Sequence, residues 1–79
     1  MVYYARLPLR ILIPTVTVHL RTDDGDLSIR ARWRSSPLQL QRQILHRMRN
    51  GRLLWFEDEG GHPVCIRPES VSAARVDGR

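Results

Sequence analysis

A chain of 79 residues has room for one domain around one hydrophobic core, because a domain this small buries a smaller share of its surface than a large one. With 42% apolar and 27% charged residues, its composition excludes wholesale disorder. The net charge is +5, carried by 13 basic residues that are all Arg. A GC-rich genome raises Arg at the expense of Lys everywhere, so the placement of the charge says more than its total.

Leu7, Leu9, Ile11 and Ile13 alternate, but Pro8 and Pro14 cannot donate to a strand ladder. Residues 1–14 are therefore expected to form an arm, bulge or edge segment. Thr15–Arg21 then puts Val16, Val18 and Leu20 on one side and Thr15, Thr17, His19 and Arg21 on the other, the period of a half-buried strand. Asp23-Asp24-Gly25-Asp26 supplies a reversal. The segment Leu27–Arg34 places Leu27, Ile29, Ala31 and Trp33 opposite Ser28, Arg30, Arg32 and Arg34. The two strands read as an antiparallel hairpin.

Ser36-Pro37-Leu38-Gln39 is a helix start, with Ser as N-cap, Pro at the first helical position and Gln three residues after the cap. Asn50-Gly51 is its stop. Over residues 37–50, Leu40, Ile44, Leu45 and Met48 form one stripe, and Gln39, Arg42, His46 and Arg49 lie opposite. Leu53–Phe56 is apolar without interruption and reads as a central strand buried on both faces. Glu57–Gly61 is a turn, Pro63–Arg67 a strand, Pro68–Ser70 a turn and Val71–Val76 an additional C-terminal strand.

The order β-β-α-β-β, with that additional strand, predicts an α+β fold of two layers. One helix packs on a single, mostly antiparallel sheet, with Trp33, Trp55 and Phe56 as core anchors. The order of elements is β-grasp-like. The ending, in which a strand, an Asp58-Glu59-Gly60 turn, a strand, a Pro68 turn and a short strand follow one another, resembles small uncharacterised proteins of high-GC bacteria and their phages. That resemblance carries no functional motif.

Charge is segregated along the chain. Arg30, Arg32, Arg34, Arg42, Arg47, Arg49 and Arg52 lie between Ser28 and Arg52 without an acidic residue, whereas the part from Leu53 onward is mildly acidic. Arg30, Arg32 and Arg34, with Arg21 on the neighbouring strand, would line one sheet face. Arg42, His46 and Arg49, with Arg52 beyond them, would line the helix. Arg suits phosphate because its planar fork holds two oxygens. The competing reading is a solvated surface whose arginines are neutralised by carboxylates from the C-terminal third.

The remaining motifs are poorer in chemistry. One helix does not make a helix-turn-helix, and His62-x-x-Cys65 lacks the further ligands a metal needs. Cys65 reads as a small buried hydrophobe, His62 as a turn residue, and Glu57-Asp58-Glu59 as a solvated turn. Ser35, Ser36, Ser70 and Ser72 have turn or cap explanations, and neither a phosphate loop nor a nucleophile elbow occurs. No catalytic residue, cofactor or metal is assigned.

A single Cys allows no internal disulfide and points to the cytoplasm. Arg6, Arg10, Pro14 and His19 break up the apolar start, so neither a signal peptide nor a membrane span is expected. The sequence therefore leads to a small non-enzymatic protein that binds nucleic acid or another polyanion over residues 28–52. The alternative is a self-associating protein-interaction module without a nucleic-acid role. A homodimer is expected because so small a core gains from a partner covering Leu53–Phe56 and the segment around Ile11 and Ile13.

Overall fold

The computed structural model describes residues 14–78, and the expected arm or edge segment falls almost wholly outside them. The β1 strand (Thr15–Thr22) and the β2 strand (Gly25–Arg32) form an antiparallel hairpin in which Thr22 faces Gly25, His19 faces Ser28 and Thr17 faces Arg30. Asp23 and Asp24 make the two-residue loop. Thr22 Oγ1 donates to the Gly25 carbonyl at 2.7 Å and accepts from Asp24 N–H at 3.2 Å. Gly25 has φ +117°, a backbone state that side chains disfavour.

Helix α1 (Pro37–Arg49) starts as the sequence predicts, with Ser36 Oγ accepting from Gln39 N–H at 3.2 Å. Its end is a Schellman motif: Arg52 N–H bonds the Arg47 carbonyl at 2.8 Å, Gly51 N–H bonds that of Met48 at 3.2 Å, and Gly51 has φ +65°. This closure turns the chain directly into β3 (Leu54–Glu57), which pairs antiparallel with β4 (Pro63–Ile66). A 3-10 turn at Pro68–Ser70 leads to β5 (Val71–Asp77), antiparallel to β1.

The fold is α+β with the expected order of elements. The strands, however, form two sheets: a three-stranded one in the order β2-β1-β5 and the separate β3–β4 hairpin. A lone bridge between Ala31 and Asp58 joins them. The antiparallel sense of β1 and β5 also separates this sheet from a true β-grasp, whose first and last strands run parallel. Between Arg21 and Thr22 the β1–β5 register slips by a bulge, so Val71 faces the same side as Ala74 and Val76.

Val16, Val18 and Leu20 from β1 meet Leu40 and Ile44 from α1, Leu54 and Phe56 from β3, and Val71 and Val76 from β5. Gln41 ties the helix to the sheet edge, its Oε1 accepting from Val76 N–H at 2.9 Å. Three expectations change at β3 and β4. The run Leu53–Phe56 is not buried on both faces, since Leu54 and Phe56 are buried whereas Leu53 is 54% and Trp55 51% exposed, and Trp55 is therefore not a core anchor. Cys65, paired with Trp55, is exposed as well. The cause is the pleat, since a two-stranded hairpin packed on one side turns every second residue to solvent. Trp33 does pack partly against the core, its Nε1 donating to the Ser36 carbonyl at 2.8 Å.

Leu53 and Leu54 thus make a matched pair of probes. Leu54→Ala is expected to lower unfolding free energy by about 2–5 kcal/mol, as for a buried Leu, and Leu53→Ala to change it by about 0.5 kcal/mol or less. Urea titration of both variants checks this. Equal losses would restore the doubly buried strand.

Candidate functional site

The exposed side of the three-stranded sheet carries much of the sequence-predicted basic surface, and it is largely self-satisfied. Arg30 faces Thr17 across the ladder. Its Nη2 donates to Thr15 Oγ1 at 2.6 Å and its Nη1 to Thr17 Oγ1 at 3.5 Å, while Nε lies 3.9 Å from Glu59 Oε2. Arg32 Nε donates to the Glu59 carbonyl at 3.1 Å. Glu59 N–H in turn bonds the Arg30 carbonyl at 2.9 Å. The acidic turn of the second hairpin therefore folds over the arginines of the first.

The other sheet arginines differ from expectation too. Arg21 Nε is 3.5 Å from Asp26 Oδ1. Arg34 does not extend the ladder, because β2 ends at Arg32 and Arg34 sits exposed in the bend before the helix. The ladder is two arginines long.

Sequence reading missed a clasp across all three strands. His19 on β1 hydrogen-bonds Ser28 Oγ on β2 through Nδ1 at 2.9 Å, and its Nε2 lies 3.0 Å from Asp77 Oδ2 on β5. Arg75 Nη2 is 3.3 Å from the same carboxylate oxygen. The hairpin register set by the two-residue loop already placed His19 opposite Ser28, so half of the clasp could have been found from the sequence. Serine, histidine and carboxylate in series have the connectivity of a nucleophilic relay. Here they lie on an open face beside a cleft of about 360 Å³ that Arg21, Asp26 and Arg75 also line. Arg21, Arg75 and Asp26 put charge of both signs around them, and His19 and Asp77 are both partly exposed. Their geometry is that of a strand clasp.

The helix is different. It contains no acidic residue, its first turn included. Arg42, His46 and Arg49 recur along its exposed side, spanning about 10 Å at 1.5 Å per residue. Arg42, Arg49, the nearby Arg52 and Arg34 form no ion pair with a described residue. The Asn50 amide nitrogen sits 3.4 Å from either His46 ring nitrogen, which sets the ring beside the row. Arg47 points elsewhere, donating to the Leu53 carbonyl at 3.4 Å. The eight candidate residues therefore divide: Arg21, Arg30 and Arg32 belong to the paired sheet face, and Arg34, Arg42, His46, Arg49 and Arg52 to the helix and its two ends.

Among the described residues, no group of three or more His, Cys, Asp or Glu side chains could hold a metal ion, and no helix is long and apolar enough to cross a membrane. No protein-family model matches the chain, and comparison with curated proteins and with solved structures returns no match.

Asp58 organises the acidic turn. Its Oδ1 accepts from His62 N–H at 2.8 Å and Gly60 N–H at 2.9 Å, with His62 Nδ1 3.5 Å away. The His62 backbone bond, aided by that of Gly60 and by the His62 ring, holds the Asp58 carboxyl below its ordinary 3.8 against the opposing effect of desolvation. A carboxylate whose pKa is lowered on folding stabilises above the unfolded value and loses that contribution as pH falls through the folded one. Melting temperature followed from pH 6 downward should therefore fall more shallowly below 3.8 in Asp58→Asn than in the parent. Identical acid limbs would show that the ionised turn does not contribute.

Proposed function

We propose that this protein is a small, non-enzymatic, cytoplasmic accessory protein that binds nucleic acid or a similar polyanion along the exposed side of α1. The observation that supports this most is the acid-free helix whose Arg42, His46 and Arg49 row faces solvent without carboxylate partners among the described residues. Helix electrostatics account for Arg47 and Arg49 near the C-terminus, but not for Arg42 or for a first turn lacking Asp and Glu. The sheet arginines are the reverse case. Arg30 already directs both terminal nitrogens to Thr15 and Thr17, and Arg32 directs its Nε to the Glu59 carbonyl, so these forks offer a phosphate fewer free donors than the helix arginines do.

Each phosphate contact releases condensed counterions, so affinity for duplex DNA should fall with salt at a slope of about −0.9 per contact. Filter binding at low salt is expected to show retention by the parent and a slope shallower by about 2 in the Arg42→Gln, Arg49→Gln double variant. Arg30→Gln should leave the slope unchanged. Loss confined to Arg30→Gln, or no retention of the parent on DNA, RNA or heparin, would overturn the assignment. A second reading, self-association without a polyanion role, is favoured by the exposure of Leu53 and Trp55. An oligomer that ignores all three polyanions would select it.

A further inference from the structure

We propose that the outer face of the β3–β4 hairpin is a two-fold self-association surface whose occupant is a second copy of this chain. The inference does not depend on the polyanion reading. The pleat turns Leu53, Trp55 and Glu57 outward on one strand side and Pro63, Cys65 and Arg67 on the other, and all six are exposed. Trp55 pairs with Cys65 at the centre and Glu57 with Pro63 at one end. Continuing that register sets Leu53 against Arg67 at the opposite end. The centre is apolar, one end is acidic and the other basic.

Such a face is complementary to itself. In a two-fold contact every residue pair occurs twice, with roles exchanged. An axis in the plane of the contact and across the strands brings the Arg67 end of one copy over the Glu57 end of the other, with Trp55 and Cys65 of both copies near the axis. An axis along the strands would set Arg67 beside its own counterpart. Charge therefore selects the crosswise axis. Exposed large apolar side chains gathered on one face are also what mark an interaction surface on a small protein.

Size sets the strength. Six residues a side fall well short of the roughly 20–30 of a standard interface, so the dimer is weak and depends on concentration. Face-to-face sheets stand about 10 Å apart, too far for a direct Cys65 disulfide but within reach of a short bis-maleimide.

Sedimentation equilibrium of the full chain tests this, from about 5 to about 500 µM, a range that brackets weak association. The parent should move from 9.2 kDa toward twice that mass, and bis-maleimide should join Cys65 to Cys65 at the upper end. Trp55→Glu should stay monomeric throughout. Because position 55 is half-exposed, its melting curve in dilute solution should match the parent's, which separates lost association from lost folding. Glu57→Arg or Arg67→Glu alone should weaken association by about tenfold, and the two together should restore it. A parent that remains monomeric, a Trp55→Glu variant that dimerises like the parent, or a charge exchange that fails to restore association would each overturn the proposal.

Discussion

The pleat of β1 is the constraint on which the rest depends. It is the middle strand of the three-stranded sheet, bonded to β2 on one side and β5 on the other, so neither its edges nor its register are free. Val16, Val18 and Leu20 are buried, and a slip of one residue would exchange them for Thr17, His19 and Arg21. With that face fixed, the helix and the β3–β4 hairpin have one apolar surface to cover. The opposite face is left to Thr15, Thr17 and His19, whose hydroxyls and imidazole hold the neighbouring strands through Arg30, Ser28 and Asp77.

The same constraint sorts the charges. Arginines on β2 stand beside hydroxyls of β1 and beneath the acidic turn after β3, because the Ala31–Asp58 bridge and the Glu59–Arg30 backbone bond bring that turn over them. Exposed ion pairs of this kind contribute little stability, typically about 1 kcal/mol or less. The effect here is to place the Glu59 carboxylate beside Arg30 and the Glu59 carbonyl on Arg32 Nε, which eases repulsion between the two guanidinium groups. Among the described residues the helix receives no such cover. Glu57, Asp58 and Glu59 all belong to the hairpin on the far side of the Schellman turn, Asp77 is engaged with His19 and Arg75, and Glu69, which lies near Met48 and Gly51 at the end of the helix, makes no ion pair with its arginines. The seven arginines between Ser28 and Arg52 thus separate into Arg30, Arg32 and Arg47, which are hydrogen-bonded, with Arg30 also beside the Glu59 carboxylate, and Arg34, Arg42, Arg49 and Arg52, which pair with no described carboxylate.

Much of this was legible in the sequence, for identifiable reasons. Alternation in β1 and β2, the two-residue Asp loop, the Ser36-Pro37 start and the Asn50-Gly51 stop are local signals, and each fixes geometry within a few residues. What was not legible is what four apolar residues in a row conceal. Leu53–Phe56 satisfies a doubly buried strand and a half-buried one equally, and the choice belongs to the partner layers. With its single pairing to β4 and its single packed face, β3 turns Trp55 outward and Cys65 with it. Division into two sheets was hidden for the same reason, since strand order says nothing about whether hairpins join edge to edge. The helix row was found from the wheel. That its arginines are open while Arg30 and Arg32 are engaged required the tertiary placement of Glu59.

The two surfaces also bear on each other through the chain that joins them. The Schellman closure leads from Arg49 through Arg52 into Leu53 and Trp55 without a flexible linker, so the orientation of the helix row is tied to that of the hairpin. Three or so phosphate contacts on one helix make a weak, salt-sensitive site. If two copies meet through the hairpins, the two rows are carried in one rigid particle related by the same two-fold axis. A second row then binds at an effective concentration set by geometry and gains affinity without a new contact. Weakness at each site and weakness at the hairpin face become coupled quantities, because a polyanion long enough to span both rows favours the dimer by the same factor that the dimer favours the polyanion. In that case a chain with a single Cys, which can form no internal disulfide, would gain affinity and stability from assembly.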